Sequence, residues 1–342
     1  MRVTTIHGPG DVRLEDRPQP TVTDPAQAVV RVVASCVCGS DLWSYRGENP
    51  IDPGSPIGHE VVGILEEVGD AVTSFAPGDF VIVPFVHCDN TCAHCRGGVT
   101  SACARQGFTV GGQGEYALVH QAEGSLVKTD GLPDPALVPS LLALADVMAT
   151  GWHAAVAAGV RPGAPAVVVG DGAVGLCGVL AARELGAERI VAMSRHEPRQ
   201  KLATEFGATH VIPERGETGE QAVLDLTDGV GADAVLECVG NDPAMQTAFA
   251  VARPGATVGF VGVPHGIQLP VRRMFSKNVG LAGGIAPVRT YLPDLLERTL
   301  DGRIEPGRVF DLSLPLDDVA EAYRAMDERR AIKTLLDVQP IG

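Results

Sequence analysis

The stretch AVVVGDGAVGLCGVLAARELGA, residues 166–187, decides the fold. Three consecutive valines after Ala166 make a short, continuously apolar run, the pattern of a strand buried on both faces. Gly170, Gly172 and Gly175 follow at once as G-x-G-x-x-G, with Ala173 and Val174 inside the turn. A helical pattern begins there and is closed by Gly186, which can take the left-handed conformation that ends helices. Glycines at these positions permit a tight turn and let the backbone approach a pyrophosphate seated at the helix N-terminus. A glycine triplet alone is a weak signal. Placed between a strand and a helix, it marks a dinucleotide site.

Reading outward to the C-terminal side, RIVAMSR forms a second strand, and KLATEFGA a helix with Gly207 at its end. ADAVLECVG and ATVGFVGV are further strands, with a helical stretch, PAMQTAFAVA, between them. Strands alternating with helices at this interval predict a parallel, doubly wound sheet. An NAD site usually carries Asp or Glu at the end of the second strand to bind the ribose 2′-hydroxyl. This chain has Ser194, Arg195 and His196 there. A hydroxyl and a guanidinium accept a 2′-phosphate that a carboxylate would repel, which predicts NADP(H). The alternative is a solvated Arg195 and indifference between the two cofactors.

Reading outward to the N-terminal side, the texture changes. Residues 1–130 hold short apolar runs between turn signals, among them AVVRVVAS, VVGILEEVG, DFVIVPF and EYALVH, as in a folded sheet or barrel. From about 136, PALVPSLLALADVMATGWHAAVAAG shows helical spacing. The tail has a helix-like DDVAEAYRAMDERR and a strand-like AIKTLLDV. The charge balance is 27 basic against 42 acidic residues, a net of −15, which argues against nucleic-acid and anionic-membrane partners. The N-terminal MRVTTIHGPG has no apolar run of the export type, and the most apolar region, 135–149, is too short to span a bilayer, so a cytoplasmic location is expected.

In a reducing compartment clustered cysteines suggest metal ligands. Residues 87–103 read HCDNTCAHCRGGVTSAC, where Cys88, Cys92, Cys95 and Cys103 give C-x3-C-x2-C-x7-C. Four ligands close a zinc coordination shell, so this is a structural site. A second constellation is scattered. Cys38 lies in CVCGSDLW, His59 and Glu60 interrupt the apolar IGHEVVG, and Asp146 stands among Leu, Ala, Val and Met. A buried, unpaired carboxylate is costly, and a cation relieves that cost. One thiolate, one imidazole and one carboxylate leave a position open for water or substrate, as in catalytic zinc sites.

CGSDL, GHE, the C-x2-C-x7-C run, the strand-bound GDGAVG and the closing AIKTLL together resemble the zinc-dependent alcohol dehydrogenases of the medium-chain dehydrogenase/reductase family, over essentially the whole chain. The resemblance implies an α/β protein with two domains. A GroES-like, mostly-β catalytic domain would comprise 1–149 and 284–342, with a structural zinc lobe at about 86–104. A Rossmann NADP-binding domain would comprise 150–283. It implies catalytic zinc on Cys38, His59 and Asp146, the last being Cys in many members and Asp in some bacterial ones. Glu60 would be an outer carboxylate or an exchangeable fourth ligand, and Asp41 would orient His59. Ser40 would take the alcohol proton. Trp43 stands where many members have a proton-relaying His, and with Phe85 it would wall the substrate pocket. Thr150 would pack on the nicotinamide and Lys333 would reach a cofactor phosphate. The family spacing x2, x2, x7 puts the first structural ligand at Asp89; thiolate softness favours Cys88. A homo-oligomer, tetramer over dimer, is expected. The alternatives are a zinc-free quinone or enoyl reductase of the same fold and a non-catalytic NADPH- or zinc-binding protein.

Overall fold

The apolar runs of the first 130 residues become strands whose pairing is set by alternation and by the turns between them. In a computed structural model, which describes residues 1–342, Ala28–Cys36 is the central strand of a seven-stranded sheet. Val61–Val68, Tyr116–Val119 and Lys333–Asp337 all pair with it antiparallel. Val30, Val32, Val61, Leu65, Val81 and Val83 fill one apolar layer beside it. Burying each such side chain contributes about 1.5–3 kcal/mol. The tail therefore belongs to the N-terminal part: Leu335 lies opposite Cys36, which brings Lys333 up to the Val37–Cys38 corner.

The division follows this pairing. One unit is Met1–Asp146 with Pro287–Gly342, and the other is Val147–Ala286. Each boundary lies three residues outside the expected 150–283 (149 − 146 and 286 − 283); the first does so because the helix Val147–Ala157 falls wholly in the second unit. The helical stretch from 135 is two helices, Val138–Leu144 and Val147–Ala157, interrupted at Ala145 and Asp146. Phe85 N–H donates to the Ala145 carbonyl at 3.1 Å, satisfying one of the backbone groups released by the break.

In the second unit six parallel strands run in the order His210–Ile212, Ile190–Met193, Ala166–Val169, Ala232–Glu237, Ala252–Phe260, Gly280–Gly283. In chain order this is 3-2-1-4-5-6, the Rossmann arrangement, whose ligands bind beyond the carboxyl ends of the strands where the order reverses. Val167, Val191, Val235 and Val258 are fully buried between the helix layers. The helix Ala173–Glu184 opens at Gly172, and Gly186 beyond its end has φ +87°. No single helix is long and apolar enough to cross a membrane.

Candidate active site

Cys38, His59, Glu60 and Asp146, contributed by three distant segments of the first unit, bring one ligand atom each to within 4.8 Å of one another. Cys38 Sγ lies 3.6 Å from Asp146 Oδ2, and His59 Nε2 lies 3.4 Å from the same oxygen and 4.0 Å from Glu60 Oε1. The other ring nitrogen, His59 Nδ1, is 3.3 Å from Asp41 Oδ1, so a carboxylate behind the imidazole fixes its orientation. Asp41 is itself held: its Oδ2 accepts from Cys38 N–H at 2.9 Å and from Gln113 Nε2 at 3.2 Å, and Tyr323 Oη donates to Gln113 Oε1 at 3.1 Å. Neither Gln113 nor Tyr323 is signalled in the sequence, because neither lies near Asp41 along the chain.

The electrostatics of the cluster suit a cation. Burial opposes a charged His59, yet Asp41, Asp146 and Cys38 outweigh it and hold its pKa well above the ordinary value. Burial raises the Cys38 thiol, with Lys333 pulling it down and Asp146 pushing it up. Glu60 Oε2 is buried without a hydrogen-bond partner. An orphaned carboxylate oxygen beside a convergent thiol, imidazole and second carboxylate fits zinc, which takes sulfur, nitrogen and oxygen donors in a small shell.

Lys333, expected at a cofactor phosphate, contacts the cluster in this unit. Its side chain is 1 % exposed, and its ammonium donates to Glu60 Oε1 at 2.6 Å and to the Val37 carbonyl at 3.2 Å. It is a buried counter-charge beside the Cys38, His59, Glu60 and Asp146 cluster. Desolvation works against its charge, but Cys36, Glu60, Cys38 and Asp146 together keep it protonated, its pKa well above the usual lysine value.

Ser40 caps the short helix Asp41–Tyr45 without using its side chain, so its hydroxyl is not taken by the backbone. It lines a cavity of 210 Å³ that Asp41, Ser44, Ile57, His59 and Thr109 also border. Trp43 and Phe85, expected to wall the pocket, do not line this cavity. Phe85 instead meets His59 edge-on, with ring centroids 6.2 Å apart, and stacks on Phe108.

The cysteine lobe brings together three of its four cysteines and Asp89. The four atoms that converge within 4.8 Å belong to Asp89, Cys92, Cys95 and Cys103. Asp89 Oδ1 and Cys95 Sγ are 3.5 Å apart, as are the sulfurs of Cys92 and Cys95. Cys88 is fully buried beside these thiols, but its Sγ donates to the Gly124 carbonyl at 3.5 Å and is not one of the four. Softness favours sulfur, whereas the turn presents the Asp89 carboxylate. Asp89 Oδ1 accepts from Thr91 and Cys92 N–H, which aims the carboxylate into the lobe and holds its pKa below the ordinary range. Backbone N–H groups of Ala104 and Cys95 lower the Cys92 thiol to about 7, which favours the thiolate a metal needs.

In the second unit the glycine-rich turn is shaped for a dinucleotide. A Cβ at Gly175 would lie 2.1 Å from the Gly170 carbonyl oxygen, so the helix can seat against the turn only if residue 175 is glycine. Beyond Gly172, at the helix N-terminus, a Cβ would meet nothing within 4 Å, leaving room for a phosphate group. Thr150 sits on the helix Val147–Ala157 of this unit and is buried. Ser194 and Arg195 follow the second strand as expected, but a group not singled out in the sequence joins them. Asp171 Oδ2 accepts from Ser194 Oγ at 2.9 Å and from Arg195 N–H at 3.1 Å.

A Rossmann unit and a GroES-like unit with a convergent thiolate, imidazole and carboxylate set define a metal-dependent dehydrogenase. Comparison with known proteins narrows this. Residues 24–133 match the alcohol dehydrogenase GroES-like domain and residues 173–300 the zinc-binding dehydrogenase domain. A probable zinc-binding alcohol dehydrogenase of Mycobacterium tuberculosis is 35% identical, covering 94% of this chain and 84% of that protein. An NADP-dependent isopropanol dehydrogenase of Thermoanaerobacter brockii is 30% identical, covering 92% of each. The solved alcohol dehydrogenase of Thermus sp. ATN1 superposes with a TM-score of 0.91 at 31% identity, covering 99% of this chain and 100% of that one. The chain belongs to the zinc-dependent alcohol dehydrogenases of the medium-chain dehydrogenase/reductase family.

Proposed function

We propose that the chain is an NADP(H)-preferring zinc alcohol dehydrogenase that interconverts an alcohol and its carbonyl compound. It would carry one catalytic and one structural zinc and work as a cytoplasmic homo-oligomer, a tetramer before a dimer. The observation that carries the reading is the convergence of Cys38, His59 and Asp146 beside a cavity lined by Ser40. A zinc ion held there supplies Lewis acidity at the substrate oxygen, and a bound nicotinamide supplies or accepts the hydride.

The chain's own groups do the remaining work. Cys38, His59 and Asp146 hold the metal, with Glu60 in reach as a fourth donor. Asp41 keeps the His59 ring turned toward the cluster. Lys333 balances Glu60, so the cluster carries less uncompensated negative charge. Ser40 Oγ accepts the substrate hydroxyl proton during oxidation and returns one during reduction. The indole of Trp43, a donor only, cannot extend that relay, so the proton leaves through other groups. Asp89, Cys92, Cys95 and Cys103 hold the structural zinc. Thr150 faces the nicotinamide.

The cofactor preference rests on charge. Arg195 and Arg199 flank the end of the second strand, and Arg215 feels the charges of both Asp171 and Arg195. This cationic edge suits a 2′-phosphate, and the Thermoanaerobacter brockii relative is an NADP-dependent enzyme.

A screen of alcohols and carbonyl compounds with both cofactors, on protein of measured zinc content, tests the reading. Turnover with two zinc ions per chain and an NADP preference supports it. Full turnover in zinc-free protein overturns the zinc mechanism and returns the chain to a zinc-free reductase. An Arg195→Ala protein should bind NADPH about tenfold more weakly, with NADH little changed.

A further inference from the structure

Asp171 lies inside the glycine-rich turn, between Gly170 and Gly172, where a negative charge works against an incoming pyrophosphate. Its side chain does not point at random. Val169 pairs with Met193 in neighbouring parallel strands, so the residues just beyond the two strand ends face each other. Asp171 reaches across that gap. Its Oδ2 takes the Ser194 hydroxyl and the Arg195 N–H, and its Oδ1 stands 3.7 Å from Arg199 Nη1, which also donates to the Asp171 carbonyl at 3.2 Å. Ser194 is fully buried, and the side chains of Asp171 and Arg199 are each only 14 % exposed, so this is an enclosed ion pair.

Hydroxyl, backbone N–H and guanidinium are the donors that would bind a 2′-phosphate, and a carboxylate of the chain already holds all three. We propose that Asp171 is the specificity-determining residue of the cofactor site: it is the ribose-side carboxylate, carried on the first strand's turn instead of at the end of the second strand. It is available to accept from a ribose 2′-hydroxyl, and it competes with a 2′-phosphate for Ser194, Arg195 and Arg199. The chain therefore takes both NADP(H) and NAD(H), with a narrower preference than its arginines alone would give. This inference rests on the reading that Ser194 and Arg195 form the 2′ end of the site.

Asp171→Asn removes the charge and keeps an oxygen that can accept from Ser194 and Arg195. Titration of the full-length, zinc-loaded protein with NADPH and NADH, followed by nicotinamide fluorescence, gives the two Kd values. The Kd ratio should move toward NADPH by about tenfold, through tighter NADPH, weaker NADH, or both. A ratio unchanged within about twofold, or moving toward NADH, overturns the proposal. Asp171→Ser is read in the same way should the amide disturb the turn. Loss of both cofactors in both variants also overturns it, since Asp171 would then be a support of the turn alone. The wild-type ratio is a separate readout: a wild type favouring NADH sinks the NADP preference, while a shift in Asp171→Asn leaves this assignment standing.

Discussion

The two candidate metal clusters of the first unit are built on opposite plans. The Asp89–Cys103 lobe is local: its four candidate ligands span 15 residues, and backbone N–H groups of the same loop aim the Asp89 carboxylate. The Cys38, His59, Glu60 and Asp146 cluster is assembled from distant segments, and its charge is balanced by Lys333, 273 residues from Glu60. A local site closes its shell and can only stabilise. A site assembled across the fold can leave one position open, because tertiary packing and not loop geometry holds its ligands. The motif most visible in the sequence is thus the quieter one chemically.

Removing a ligand of the distributed cluster is the strongest way to break this contrast. Cys38→Ser and Asp146→Ala should each lower turnover by about a thousandfold or more, with one zinc lost per chain and NADPH binding retained. Metal analysis beside fluorescence titration checks this, and unaltered turnover would remove the cluster from the chemistry. Next in size is Lys333→Met, which leaves Glu60 buried without its counter-charge. Urea denaturation should show a loss of about 3–5 kcal/mol. A change under about 1 kcal/mol would mean that Lys333 is not the internal counter-ion described here. Asp41→Asn should weaken catalytic zinc by about 10- to 100-fold in chelator competition while the lobe keeps its ion. The smallest effect sharpens the local side of the comparison. Asp89→Ala should empty the lobe, whereas Cys88→Ala should keep two zinc ions and cost about 1 kcal/mol as a core truncation. The reverse result would restore Cys88 as the ligand.

The legibility of the molecule follows the same division. The Ala166–Val169 strand, the glycine turn and the helices ended by Gly186 and Gly207 were readable because each depends on neighbours in sequence. Cys38, His59 and Asp146 were readable only as chemically odd residues that a shared ion would explain. The role of Lys333 was not, since it depends on the antiparallel pairing of Leu335 with Cys36, which no local pattern encodes. Asp171 was hidden differently. It occupies a variable position of a familiar motif, and only the parallel register of Val169 with Met193 shows what it faces. At residues 88 and 89 donor softness points to the thiol while the turn geometry presents the carboxylate, and only the second of these needs the fold.

The pairing of Lys333–Asp337 with Ala28–Cys36 also orders events during synthesis. The cofactor unit is one continuous segment and can fold as it emerges, as domains generally do. The catalytic unit cannot. Glu60 leaves the ribosome long before Lys333, and the whole of Val147–Ala286 is made in between. Until the tail strand docks, the nascent chain holds an acidic, thiol-bearing half-site without its internal cation. The distributed cluster therefore gains its internal counter-charge only when the tail strand docks, whereas the residues of the Asp89–Cys103 loop are together within 15 residues of chain.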